Sequence, residues 1–241
     1  NTADTNNITI GRNGSNIQGT ASDFIINTEG RSIFLVYVDG TKGWLVTGSA
    51  KNTDIAAPQY VTATGGTITT CGDFKIHTFT GPGTFCVSDA GGPSGSNTVD
   101  YLVIAGGGGG ASGGGGAGGY RESSGAASGC YSRSPLGACV SALPVSVQGY
   151  PITVGAGGGG NACESNPGSN SIFSTITSTG GGGQNDNAPD REGKPGGSGG
   201  GGGSNRNNSG GAGNTPPVSP PQGNNGGPGQ APGPSNVGSG G

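Results

Sequence analysis

Hydrophobic and polar residues alternate in short runs through the first hundred positions, and each run ends on a turn residue. Asn7-Ile8-Thr9-Ile10 stops at Gly11, Asp23 to Asn27 makes a second run, and Ser32-Ile33-Phe34-Leu35-Val36-Tyr37-Val38 is the most apolar. A period of two in β-branched and aromatic residues predicts strands. Arg12-Asn13-Gly14-Ser15 predicts a tight turn, because Asn-Gly tolerates the positive φ of a type I′ turn. Asp39-Gly40 separates the apolar run from Gly43-Trp44-Leu45-Val46-Thr47, which predicts a hairpin. Phe74 to Phe79, the turn Gly81-Pro82-Gly83 and the return Thr84 to Val87 predict a second one. No segment sustains a helical period, so essentially no α-helix is expected.

The pattern changes near residue 100. Short apolar runs now lead into glycines: Val99 to Ile104 into Gly106–Gly110, Pro151 to Val154 into Gly157–Gly160, and Ile172 to Ile176 into Gly180–Gly183. The first hundred residues hold 15 of the 59 glycines, leaving 44 for the rest. The expected organisation is a small β-domain at 1–50, a connector at 51–59, a β-hairpin unit at 60–100 and a glycine-rich bundle at 101–241.

A glycine run reads first as a flexible linker, since glycine loses the most freedom on ordering and buries no side chain. One ordered solution exists. Extended left-handed helices with three residues per turn have no internal hydrogen bonds, and side by side they satisfy one another's N–H and C=O groups. Such close backbone approach demands glycine. Collagen's strict G-X-Y period is absent, which excludes a triple helix. Blocks of glycine separated by Asn, Pro and Ser fit a bundle of short polyglycine II helices joined by loops. The fold class expected is therefore all-β plus a polyglycine II bundle.

Composition narrows the chemistry. Hydrophobic residues are 28% and charged residues 10%, both below an ordinary globular enzyme. Net charge is −3 with the few Lys and Arg scattered, which argues against nucleic acid. No apolar run is long enough to span a membrane. Tyr101 to Gly110 mimics a dinucleotide fingerprint, but glycine continues to Gly119 and leaves no helix start for a pyrophosphate. His77, the single histidine, falls in an alternating strand and reads as a half-buried strand residue. Glu164, Asp186, Asp190 and Glu192 sit in polar segments with no paired context, and no zinc-type spacing occurs. No enzyme, cofactor or metal is expected.

Two further sets of residues stand out. Cys130 and Cys139 bracket a short loop and are candidates for a disulfide, as are Cys71 and Cys86, which flank the expected hairpin; the fifth cysteine is Cys163. Tyr120, Arg121, Tyr131 and Arg133 combine aromatic and cationic side chains between glycine blocks, the residue types that anchor interfaces. They are the expected binding residues, on loops held by a rigid scaffold.

Several segments also resemble a known family. Asp100-Tyr101-Leu102-Val103-Ile104-Ala105 with its glycine run, Gly118-Gly119-Tyr120-Arg121, Tyr150 to Gly157, Gly168 to Phe173 and Asn214 to Asn224 resemble the glycine-rich domain of phage tail-fibre and other virion proteins. The resemblance covers residues 60–241. Residues 7–47 resemble the end of a small β-domain of phage fibre proteins, which implies that the chain begins inside a longer polypeptide. It implies a virion appendage, a tail-fibre tip whose glycine-rich loops bind a host cell-surface receptor, with other fibre proteins as partners. Fibre shafts of this kind imply a homotrimer formed through the β-half. A structural subunit of an extracellular filament, without receptor binding, is the alternative.

Overall fold

The computed structural model describes residues 5–50, 59–92, 95–125, 140–160, 165–184, 191–204 and 207–230. They fall into two compact units, residues 1–59 and 60–241. Among the described residues all regular elements are strands, and no helix is long and apolar enough to cross a membrane.

The first unit contains β1 (Ile8–Ile10), β2 (Phe24–Ile26), β3 (Ser32–Asp39) and β4 (Gly43–Ala50). β1 pairs antiparallel with β2, and β3 with β4, as two separate two-stranded sheets. The Arg12–Ser15 turn forms as the Asn-Gly pair dictates: Asn13 and Gly14 have φ of 44° and 83°, and the Ser15 N–H donates to the Arg12 carbonyl at 2.9 Å. At the β3–β4 turn the Asp39 carboxylate accepts the N–H groups of Thr41 (2.8 Å) and Lys42 (2.6 Å). Ile17 and Ile26 are its buried hydrophobic residues among those described.

The second unit runs through β5 (Val61–Thr64), β6 (Thr67–Cys71), β7 (Phe74–Thr78), β8 (Gly83–Ala90), β9 (Thr98–Val99) and β10 (Leu102–Ile104). It continues with β11 (Tyr120–Glu122), β12 (Leu143–Pro144), β13 (Gly149–Thr153), β14 (Ser171–Phe173) and β15 (Ile176–Ser178). Five of these make one antiparallel sheet in the order β15-β14-β13-β8-β5. Its core is Ala63, Phe85, Val87, Val145 and Tyr150, with Phe79, Ile152 and Phe173 packed against it. The rings meet edge-on: Phe85 lies 5.8 Å from Phe173, and Tyr150 lies 6.1 Å from Phe173.

Several expectations change. The strand Phe74–Thr78 does not return through Gly81-Pro82-Gly83 as a hairpin. It pairs with β6 across Gly72-Asp73, where Gly72 supplies a φ of 57°, and β8 pairs with β5 and β13 instead. Ile172 to Ile176 is a hairpin, turned at Ser174 with φ 53°. Residue 100 is no boundary, because β8 and β13 share a sheet. Cys71 is disulfide-bonded while Cys86 is a free thiol, so those two are not a pair. The reason is topological: Cys71 ends β6 in a two-stranded ribbon, and Cys86 sits in β8 between Thr64 and Gly149. The Cys130–Cys139 pair lies outside the described residues, as does Cys163. His77 is half-buried in β7, its Nδ1 2.8 Å from the Gly65 carbonyl oxygen and its ring 5.1 Å from Phe85.

Candidate functional site: a hydrogen-bonded glycine scaffold

Glycine has no side chain to bury, so ordering its blocks must come from the backbone. The N–H groups of Ala105 and Gly108 donate to the carbonyls of Gly119 (3.0 Å) and Gly116 (2.8 Å). Those of Gly106 and Gly109 donate to Ser169 (3.1 Å) and Asn166 (2.9 Å), and the Gly107 carbonyl accepts from Gly158 (2.8 Å). Three successive residues thus face three different segments, and residues three apart face the same one. The rule repeats elsewhere. Gly116 and Gly119 donate to Gly182 and Thr179 (both 2.8 Å), and Ser198 and Gly201 to Ala117 (3.0 Å) and Gly114 (2.8 Å). Gly199 and Gly202 donate to Asn224 and Gly227 (both 2.9 Å). In that last pair acceptor numbers rise with donor numbers, so those two segments run parallel; the others run antiparallel.

This bonding leaves no room between segments. A Cβ built on Gly108 lands on the Gly182 carbonyl, one on Gly116 on that of Ser198, and one on Gly181 on that of Gly116. None of the described block glycines between 106 and 119 or between 180 and 203 has a positive φ. At most of these positions glycine is required for space; at Gly107 the nearest atom to an added Cβ is an ordinary 3.6 Å away. Gly159 is different, with nothing within 4 Å of an added Cβ.

Polar side chains, buried at Ser178, Gln184 and Gln222 and half-buried at Asn214, close the gaps where the blocks end. Gln222 is 1% exposed; its Oε1 accepts the Thr179 N–H (2.8 Å), its Nε2 donates to the Pro216 carbonyl (3.1 Å), and its own carbonyl accepts the Tyr120 N–H (2.8 Å). Asn214 Oδ1 in turn accepts the N–H groups of Val218 (3.1 Å) and Gln222 (3.2 Å). Gln184 is fully buried, with Oε1 accepting from Gly113 N–H at 3.2 Å. The Ser178 hydroxyl donates to the Gly119 carbonyl. Each satisfies groups that would otherwise be buried unpaired. Sequence reading missed these four residues; a lone Gln or Asn following glycine or proline was the one visible signal for Gln184, Asn214 and Gln222, and Ser178 had none.

Tyr120 and Arg121 lie on a strand and not on a loop, which corrects their expected setting. β11 pairs with β10, placing Tyr120 opposite Ile104 and Arg121 opposite Val103. Both are half-buried. The Tyr120 hydroxyl donates to the Glu122 carboxylate at 2.7 Å, and Arg121 Nη1 reaches the Thr177 carbonyl at 3.4 Å. Glu122 is 4% exposed, a buried carboxylate that needs such a donor. Next to it, Ser123 links strand ends: its hydroxyl donates to Asp100 (2.7 Å) and accepts the Tyr101 N–H (3.0 Å). Burial raises the Tyr101 hydroxyl above the ordinary tyrosine value; Arg121 pulls it down and Asp100 pushes it up. Tyr131 and Arg133 lie outside the described residues, so the structure does not bring the four expected binding residues together. Among the described residues no group of three His, Cys, Asp or Glu side chains is placed to hold a metal ion.

Residues 79–241 match the family model of a glycine-rich domain, about two-thirds of the chain. The protein belongs to this glycine-rich domain family. No curated protein and no solved structure matches it.

Proposed function

We propose that the glycine-rich unit is a bundle of polyglycine II helices serving as the receptor-binding end of a phage tail fibre or similar virion appendage. The single observation that supports this most is the three-residue period of hydrogen-bond partners. A helix with three residues per turn points its backbone groups in three directions, as residues 105–109 do through the N–H groups of Ala105 and Gly106 and the carbonyl of Gly107. Such a scaffold is rigid without a large apolar core and suits a particle exposed outside cells. It holds connecting segments at fixed positions, where recognition usually resides. In this reading the contact is made by the stretch between Gly125 and Val140, through Tyr131 and Arg133. Tyr120 and Arg121 anchor the base of that stretch on β11. The partners are then a host surface receptor and the other fibre proteins.

The test has two parts. Electron microscopy with an antibody against residues 100–241 should label fibre ends on tailed particles; label along free filaments would overturn the reading in favour of a structural polymer. Tyr131→Ala together with Arg133→Ala should lower particle adsorption roughly tenfold or more, the loss expected when two anchor residues are truncated. Unchanged adsorption would remove that segment as the contact.

A further inference from the structure

The chain contains two Asn-Gly dipeptides, Asn13-Gly14 and Asn225-Gly226, one in each unit. Asparagine before glycine is chemically labile, because the glycine nitrogen can reach the asparagine side-chain carbonyl with no Cβ in its way. The reaction needs a glycine N–H left unbonded and an asparagine side chain free to turn. The two sites differ in both.

Asn13 and Gly14 are exposed at the tip of the 12–15 turn. Among the described residues the Gly14 N–H donates to no partner, and the Asn13 side-chain amide has none either. Nothing lies within 4 Å of the place a Cβ on Gly14 would take. Reaching the attack geometry costs the turn its closing bond, the Ser15 N–H on the Arg12 carbonyl at 2.9 Å. Asn225-Gly226 is held from both sides. The Gly226 N–H donates to the Gly211 carbonyl at 2.9 Å, and Asn225 Oδ1 accepts the Gly213 N–H at 2.8 Å. A Cβ on Gly226 would land on the Gly200 carbonyl, so this stretch lies packed among glycine blocks. Before the Gly226 nitrogen can attack, both bonds must break and the block must shift, which is local unfolding of a collective structure.

We infer that Asn13 is a self-modification site, an asparagine that converts to aspartate and isoaspartate within the folded chain, while the glycine scaffold shields Asn225. The Gly14 nitrogen gives up its proton and bonds to Asn13 Cγ. The Cγ–Nδ2 bond breaks, ammonia leaves carrying that proton, and a five-membered succinimide closes. Water then adds to one of the two ring carbonyls. Opening at Cγ leaves aspartate, and opening at the main-chain carbonyl leaves isoaspartate; either way one neutral amide becomes one carboxylate. The new charge arises next to Arg12, whose N–H the Asp23 carboxylate already holds at 2.9 Å. In isoaspartate the main chain gains one carbon between residues 13 and 14, so the two-residue turn no longer fits and the Ser15–Arg12 bond is lost. The inference stands independently of receptor binding.

Peptide mapping by mass spectrometry on the full chain, aged in mildly alkaline buffer, tests it, with isoaspartate distinguished by fragmentation. In the folded chain Asn13 should convert roughly tenfold or more faster than Asn225, the ratio set by the opening of a bonded block. In denaturant the two sites should convert at similar rates, because both are then plain Asn-Gly. Asn13→Gly, which leaves a Gly-Gly pair suited to the type I′ turn, should remove the fastest-forming acidic species and leave the circular dichroism unchanged. Equal rates at the two sites in the folded chain, or faster conversion at Asn225, would overturn the inference. So would an Asn13 that converts only after unfolding. If Asn13→Gly fails to fold, the folded and denatured rates of the unmodified chain decide alone.

Discussion

The turns of the first unit and the glycine blocks of the second use glycine mainly for different reasons. In the first, Gly14, Gly19, Gly30 and Gly43 have φ between 66° and 83°, a backbone region that other residues seldom enter. Gly14 and Gly19 have empty space where a Cβ would sit. In the glycine-rich unit most block glycines have ordinary φ but no space, because a neighbouring backbone group occupies the Cβ position; Gly107, Gly157 and Gly159 are exceptions. The order of the first unit is set largely by turns, with residues 16–19 bonded to residues 41–44 and Gly43 also short of space against Asn16. That of the second is collective, since each block is held by segments distant in sequence. One residue type therefore carries two kinds of structural information, and only the first is visible in a dipeptide such as Asn-Gly.

The largest effect that sharpens this contrast comes from filling the missing space. Gly108→Ala or Gly181→Ala should each destabilise the glycine-rich unit by about 3 kcal/mol, because a methyl group meets a fixed carbonyl. The melting temperature by circular dichroism should fall by roughly 5–10 °C for a unit of this size. Gly159→Ala, made in the same kind of block but into open space, should shift stability by no more than about 0.5 kcal/mol. Equal melting of Gly108→Ala and Gly159→Ala would break the distinction.

Next comes Gln222→Leu, which leaves the Thr179 N–H and Pro216 carbonyl without partners. A loss of about 2 kcal/mol is expected, read as a lower denaturant midpoint with unchanged slope. Gly14→Ala follows, costing about 1 kcal/mol through its left-handed φ despite open space around it. Its melting should leave the glycine-rich transition where it is.

The smallest effect is a pH dependence. Burial raises the Tyr101 hydroxyl above its unfolded value, so the folded state keeps its proton longer than the unfolded chain does. This contribution is complete below the ordinary tyrosine pKa of about 10 and is lost as pH rises from there through the folded value. Tyr101→Phe should flatten the fall in melting temperature over that alkaline window.

How much of this was legible in the sequence follows the same division. The Asn13-Gly14 turn, β1 to β4, and the half-buried place of His77 could be read from neighbours in the chain, since local rules govern them. The pairing of β8 with β5 and β13 could not, because Gly81-Pro82-Gly83 signals a turn without saying which strand returns. Tyr120 and Arg121 read as loop residues because glycine on one side hid the three-residue strand that meets Leu102–Ile104. Gln222 and Gln184 resemble surface residues in composition, and only their burial between blocks reveals their work.

Amide exchange resolved residue by residue by nuclear magnetic resonance tests the collective order of the glycine blocks most directly. Strong protection is expected at the donors Gly108, Gly109, Gly116, Gly181 and Gly201, and fast exchange at Gly157 and Gly159, whose N–H groups donate to no described residue. Exchange at all of these positions at the rate of an unstructured glycine chain would contradict it.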